Sequence, residues 1–253
     1  MSIKISTDST ADIPAELQRG LNITVLPLTI LTEDGRSYWD GVDLTAQACI
    51  ELLENSVKLP VSAAVTPSEY LEFFERALAE GCTDLLHISL GSKGSATFQN
   101  AGLARTMFYD EHPNAPMHIH LFDSLNYSEA YGMAVVEAAR MVKRGASVAE
   151  ISAYIEDWLA HARIVLVPFN LRYARKSGRV PAVAAMLGDA LGIKPIVAIE
   201  DGVSKILAKV RGERNAIRKL IEIVKTERRP GTRYVTAYGM PSPRYDTFKS
   251  GLV

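Results

Sequence analysis

The residues best suited to chemistry lie in "LLHISLGSKGSATFQNAG", residues 85–102. An apolar run ends in Ser89, Gly91, Ser92, Gly94 and Ser95, and a helical pattern begins near Thr97. Small residues and hydroxyls between a strand and a helix start suit an anion, because the first turn of a helix offers unpaired N–H groups and the positive end of its dipole. The loop matches neither G-x-x-x-x-G-K-[ST] nor G-x-G-x-x-G, so nucleotide binding is weakly supported, and Lys93 sits inside the loop rather than at the helix start. A carboxylate or a phosphate fits, with Ser92 and Ser95 adding hydroxyl donors. A further hydroxyl comes from "KLPVSAAVTPSE" (58–69). There Thr66 is taken by a helix cap, which leaves Ser62 among the small apolar residues Val61, Ala63, Ala64 and Val65. A carboxylate head with an apolar tail suits that company.

Other chemistries find less. No G-x-S-x-G elbow is present, and no Ser, His and acid stand in the order of a known triad. His118 and His120 share one face of a strand, with Asp123 nearby, but lack the evident third ligand that a catalytic metal needs. Two cysteines, Cys49 and Cys82, with no C-x-x-C spacing, make neither a disulfide framework nor a zinc site and fit a reduced, cytoplasmic compartment. No signal-peptide pattern opens the chain and no apolar run reaches the ~20 residues of a membrane span.

These residues must be positioned by elements that the sequence also marks. Strands are expected at 3–7, 22–30, 84–90 and 118–123, and Asp34-Gly35 signals a hairpin turn. Helices are expected at 44–55, at 65–81 (Thr66 cap, Pro67 first, Glu69 closing a capping box), at 128–145 and at 147–163 with a Ser147/Glu150 box. Alternation of strand and helix implies a mostly parallel sheet with helices on both faces. Thr7-Asp8-Ser9-Thr10, the serine loop and Asp123-Ser124 all fall at strand ends, where open parallel sheets bind ligands. For Thr10 and Ser124 helix capping is the preferred reading, being the commoner use of such residues there.

Beyond residue 163 the rhythm changes: a strand at 163–169, the short basic helix "NLRYARKSG", a helix in "PAVAAMLGDALG", an Asp201-Gly202 hairpin between "IKPIVAI" and "VSKILAKV", a helix at 213–227 and a strand at 232–239. The fold class is therefore α/β, with an N-terminal domain over 1–162 and a smaller α+β domain with an antiparallel sheet over 163–253. Charge divides at the same place. Residues 1–162 carry 10 Lys+Arg against 22 Asp+Glu, and residues 163–253 carry 18 against 7, although the chain as a whole is close to neutral at −1. A basic second half can seek an acidic partner or a phosphate. Its basic helix (Arg172, Arg175, Lys176, Arg179, with Tyr173) lacks the aromatic platform of single-strand binders and matches no duplex-reading motif, so nucleic acid is not an expected partner.

With these motifs in place, the chain resembles the DegV family of fatty-acid-binding proteins. "STDSTADIP" (6–14), "VLPLTI", "DGRSYWDGVDLT" (34–45), "LPVSAAVTPSEYLEFF", "ISLGSKGSATFQNAG", "FDS" (122–124) and "KSGRV" (176–180) follow in family order, and "LGIKPIVAIEDGVSKILAKVRG" (191–212) is the most specific match. The resemblance implies a long-chain fatty acid held between two domains, with its carboxylate on hydroxyls and its acyl chain buried. It also implies a carrier that presents the acid to a separate kinase subunit for acyl-phosphate formation, with no catalysis, cofactor or metal of its own. By position, the threonine of the family's first loop falls on Ser62, two loop serines fall on Ser92 and Ser95, and the arginine of "KVR" falls on Arg211. Arg211, with Arg172, is the candidate for kinase docking or phosphate. Ala63 and Ala64 depart from the family's Ser and Gln, and "SPRYDTFKSGLV" lacks the His that the family's C-terminal segment brings to the head group, so the second domain reads as shorter than the family's. The competing reading is a phosphotransferase or hydrolase that uses the serine loops on a small anion, with Asp8 or Asp123 as its base.

Overall fold

A computed structural model describes residues 2–171, 173, 192–239 and 242–252. The chain forms two compact units, Met1–Ala162 and Arg163–Val253.

In the first unit, β1 (Ile3–Asp8), β2 (Ile23–Leu26), β6 (Asp84–Ser89) and β7 (His118–Asp123) form one parallel sheet in the order β2-β1-β6-β7. All six residues of β6 are buried, which is why "DLLHIS" reads as a continuous run and not as an alternation. The helices are α1 (Ala15–Leu21), α3 (Pro67–Ala79), α4 (Thr97–Glu111), α5 (Glu129–Lys143) and α6 (Val148–His161). Right-handed crossovers put α1 on one face and α3 and α4 on the other; α5 packs on β1 beside α1, and α6 on α5. Tyr70, Phe74 and Phe108 pack in series beside His87 on one face of the sheet, Leu86 and Ile88 point to the other, and each is under 2% exposed. Both expected capping boxes form: Thr66 with Glu69, and Ser147 with Glu150. At Gly132 a Cβ would lie 2.2 Å from the Ala11 carbonyl oxygen, so α5 can approach the 3-10 turn Ser9–Ala11 this closely only through glycine.

The segment 22–30, expected as one strand, is two. Pro27 cannot donate to a ladder. After it the chain leaves the main sheet and forms β3 (Thr29–Leu31), the centre of a small antiparallel sheet β4-β3-β5 with β4 (Ser37–Trp39) and β5 (Val61–Ala63). Helix α2 (Ala46–Asn55) follows β4, capped by Thr45.

The second unit contains the antiparallel sheet β10-β9-β8, from β8 (Ile164–Leu166), β9 (Ile193–Glu200) and β10 (Val203–Arg211). Asp201 and Gly202, at φ 48° and 72°, turn the β9–β10 hairpin. Helix α7 (Glu213–Glu227) lays Leu220 and Ile223 on Ile196, next to Val165, Ala208 and Val210, and α8 (Pro243–Leu252) adds Phe248. The strand expected at 232–239 does not form: no described strand takes its ladder bonds, Tyr234 and Tyr238 are half exposed, and Thr232 turns back on Arg229. The sequence pattern there is strand-like, but a strand needs a neighbour. The helix expected in "PAVAAMLGDALG", the "KSGRV" motif and Arg172 lie outside the described residues. Among the described residues no helix is long and apolar enough to cross a membrane.

Candidate functional site

The serine loop leaves the carboxyl end of β6, and the two neighbouring strands hold it. From β1, Asp8 is fully buried and accepts five hydrogen bonds: Leu90 N–H at 2.7 Å, Ser89 Oγ at 3.3 Å, Tyr131 OH at 2.7 Å, Thr10 Oγ1 at 2.5 Å and Thr10 N–H at 3.2 Å. From β7, Asp123 Oδ1 accepts Ser92 N–H at 2.9 Å and Leu125 N–H at 3.1 Å. Between these two, Gly91 donates its N–H to the Asn126 carbonyl at 3.0 Å, and Gly94 closes a turn onto the Gly91 carbonyl at 3.0 Å. A Cβ on Gly91 would stand 2.8 Å from Asn126 N and 2.9 Å from the Leu125 carbonyl carbon, so the loop lies backbone on backbone against the 124–126 turn.

The expectation of unpaired loop amides is therefore corrected in part. The N–H groups of Leu90, Gly91, Ser92 and Gly94 are spent inside the protein, and that of Thr97 goes to Ser95 Oγ at 3.3 Å. The capping readings of Thr10 and Ser124 also fail. Asp8 caps the 3-10 turn, and Thr10 serves Asp8 and Tyr131. Ser124 bonds both the N–H and the carbonyl of Asn126, closing a turn around left-handed Leu125, and α5 begins only at Glu129.

Of the three serines, Ser92 is half-buried, with its backbone clamped by Asp123. The Ser95 hydroxyl is bonded to Thr97 Oγ1 at 2.8 Å, at the start of α4. Ser62 lies on β5, and the register places it on one face with Ile30 and Tyr38. A residue outside the sequence reading ties that segment to the loop's helix: Asn100, in the first turn of α4, donates to the Val65 carbonyl at 2.8 Å. Arg211 ends β10, exposed, and lines a groove of about 360 Å³ with Arg218 and Lys219.

Neither carboxylate expected as a base addresses the Ser92 hydroxyl. Asp8 is saturated by its five donors, and Asp123 meets the Ser92 amide rather than its hydroxyl. His87 is buried between Ser6 Oγ (3.0 Å, Nδ1) and Tyr70 OH (2.9 Å, Nε2). His118 and His120 do stand together, ring centroids 6.5 Å apart, but His120 turns to Asp84 at 3.3 Å. Among the described residues, metal-ligand spacing occurs only at Glu75, Glu111 and His112, at the far end of α4 from the serine loop.

Two groups, the buried His87 and the exposed Asp12, predict the pH dependence of stability. Burial lowers the His87 pKa to about 4 from its ordinary 6.5. The unfolded chain then takes up a proton that the fold refuses, so stability is lost as pH falls from 6.5 toward 4. Desolvation of its carboxyl raises Asp12 to about 6 from 3.8, against the lowering effect of the Ser128 hydroxyl and with the Glu129 charge adding to the rise. Its contribution is full below 3.8 and lost as pH rises through 6. The two oppose each other in one window; buried His87 contributes roughly 3 kcal/mol, and the exposed Asp12 carboxyl contributes less because solvent screens it. Urea titrations from pH 4 to 7 are expected to show stability falling toward acid in the native chain and falling more steeply in Asp12→Asn. A native profile that Asp12→Asn leaves unchanged would refute the offset.

Comparison with known proteins places this architecture. A profile of the DegV family, described as "Uncharacterised protein, DegV family", matches residues 2–248. A DegV domain-containing protein of Caldanaerobacter subterraneus subsp. tengcongensis is 38% identical over 223 residues, 88% of this chain and 76% of that protein. A solved structure described as fatty acid binding of a DegV family protein from Thermus thermophilus superposes with a TM-score of 0.78 at 25% identity, covering 89% of this chain and 78% of that one. The same fold is seen in the Streptococcus pneumoniae fatty acid kinase (Fak) B3 protein loaded with linoleic acid, with a TM-score of 0.73 at 23% identity over 89% and 79% of the two chains. The profile match over nearly the whole length and the 38% identity to a family member agree: this chain belongs to the DegV family.

Proposed function

We propose that the protein binds one long-chain fatty acid with its carboxyl group at the serine loop, where Ser92 is the principal hydroxyl donor, Ser62 the second and Ser95 the third. The observation that carries the reading is the clamped Ser92. Asp123 fixes its backbone, Gly91 presses the loop on the 124–126 turn, and the hydroxyl stays at the carboxyl end of the parallel sheet. Ser95 is the weakest of the three because it already serves Thr97. Ser62 keeps company with Ile30 and Tyr38, apolar surface suited to the first methylenes of an acyl chain. Each buried CH₂ contributes about 0.8 kcal/mol, so the chain supplies most of the affinity and the hydroxyls orient the head.

Lipid extracted from the denatured protein and weighed by mass spectrometry is expected to be one fatty acid per chain. Ser92→Ala is expected to weaken oleate binding roughly 5- to 10-fold, the worth of about one hydrogen bond. Absence of lipid together with no uptake of added oleate or palmitate would refute the reading.

The finer step is presentation of the acid to a separate kinase that forms the acyl-phosphate. It is supported by the sequence resemblance and by the basic groove at Arg211, which shares Asn215 and Arg218 with a neighbouring groove lined by Arg214. Arg172, the other arginine the resemblance marks, lies outside the described residues. Reversing Arg211 and Arg214 to Glu is expected to cut kinase-coupled turnover several-fold through lost electrostatic complementarity, while oleate affinity stays within twofold. Unchanged turnover would dismiss the docking role.

A further inference from the structure

The chain between β2 and α3 has no core of its own. Leu28 is 3% exposed and Val65 2%, and both belong to the main core, yet none of residues 29–64 between them is buried. The stretch holds α2 and the three-residue strands β3, β4 and β5. Its polar contacts close on themselves. Trp39 donates its N–H to Asp43 at 2.7 Å, Asp40 donates its N–H to the Leu28 carbonyl at 2.9 Å, and Lys58, after α2, pairs with Glu33, after β3, at 2.9 Å. Strands so short, with nothing buried, hold a small share of the global stability and open locally.

Two side chains from outside the stretch pin its ends. Ser9 Oγ, in the 3-10 turn after β1, accepts Leu28 N–H at 3.0 Å. Asn100 Nδ2, in the first turn of α4, donates to the Val65 carbonyl at 2.8 Å. Ser62 stands shortly before that second pin, exposed on β5. Ser92 stands in the loop that leads into the same helix α4. One side chain, Asn100, therefore joins the segment that carries Ser62 to the helix that the Ser92 loop enters.

We propose that residues 29–64 act as a flap and that Asn100 is its positioning residue, setting Ser62 for the lipid without touching the lipid itself. This rests on the fatty-acid reading above and deepens it: the second hydroxyl donor arrives on a segment that the ligand orders. The flap has no buried residue to order it, so contact with the ligand supplies what a core would. Ordering it offsets part of the contact energy, and the Asn100 bond reduces that cost by holding one end in place beforehand.

The test is amide hydrogen exchange on the full chain, free and loaded with oleate, beside oleate affinities. In the free protein β3, β4 and β5 are expected to exchange roughly 100-fold faster than β1 and β6, and oleate is expected to slow them about 10-fold. Asn100→Ala, and Asn100→Asp, which keeps the shape but cannot donate, are each expected to lose most of that slowing while β1 and β6 are unchanged. Ser62→Ala is expected to weaken oleate about 5-fold, the worth of one hydrogen bond, and Asn100→Ala to weaken it by about the same factor. In the double variant the loss is expected to stay near 5-fold, because Asn100 acts through Ser62, whereas independent contributions would multiply to about 25-fold. Multiplied losses, native affinity in either single variant, or free exchange of β5 as slow as that of β6 would overturn the inference and leave the fatty-acid reading standing. Failure of the native chain to bind oleate at all would overturn that reading instead.

Discussion

Asp8→Ala is expected to lower the unfolding free energy by about 3–5 kcal/mol, at the upper end of what single substitutions do. The carboxylate gathers donors from the half-buried Thr10 of β1's own turn, and from Ser89 and Leu90 after β6 and Tyr131 on α5, which are all buried. Removing the acceptor strands several buried donors, each costing about 1–3 kcal/mol before relaxation. Asp8→Asn keeps the shape but points an amide at those donors and should recover less than half of the loss. The measurement is a urea midpoint at constant m-value. It also separates the two functional readings. As the base of a hydrolase, Asp8 would be replaceable with little change in stability and a loss of turnover. A loss under 1 kcal/mol in Asp8→Ala would contradict the structural role described here.

The second large effect is expected at Gly91→Ala, and it should fall on binding more than on folding. The new Cβ would meet Asn126 N and the Leu125 carbonyl carbon at 2.8 and 2.9 Å. Both are backbone atoms, so no side-chain rotation relieves the clash and the loop or the turn must move. Overpacking of this sort costs about 1–3 kcal/mol. A loop lifted by even part of an ångström carries Ser92 away from its Asp123 clamp, and oleate affinity is expected to fall more than 10-fold with the far-ultraviolet spectrum unchanged. Gly94→Ala is the control. There the contact is the Tyr127 ring, with the hydroxyl 2.1 Å away, a side chain able to swing aside, so a smaller loss is expected. Equal affinities for Gly91→Ala and the native protein would refute the backbone-contact account of the site.

How much of this was legible in advance depended on how local the governing chemistry is. Thr66 with Glu69, Ser147 with Glu150 and Asp201-Gly202 speak within four residues, and each does what its spacing predicts. The parallel sheet followed from the alternation of strands and helices. Pro27 was visible, but which sheet the chain joins after it depends on β4 and β5, and β5 is a three-residue strand with no alternation long enough to read. The segment 232–239 failed for the opposite reason: its pattern is right and its partner is missing among the described residues. In the site, Ser92 was readable because small residues at a strand end are conspicuous. Asn100 and Asn126 were not, because their work is done through bonds to Val65 and Ala162, 35 and 36 residues away in sequence. Thr10 and Ser124 were misread as helix caps because capping is a habit of residue type, whereas Asp8 and left-handed Leu125 decide their use here.

The central pair of the main sheet has a consequence for how the molecule is made. β1 is complete at residue 8, yet the Asp8–Leu90 bond that fixes it against β6 spans 82 residues. On a translating ribosome, at about 5–20 residues per second, that is roughly 4–16 s during which the nascent β1 has only β2 beside it. Two strands alone are marginal in water, and loop closure over that length has to precede any reward from the new contacts. Birth of this protein therefore includes an interval in which an apolar strand edge is open to wrong pairing, so slower synthesis over residues 10–90 should lower the soluble yield.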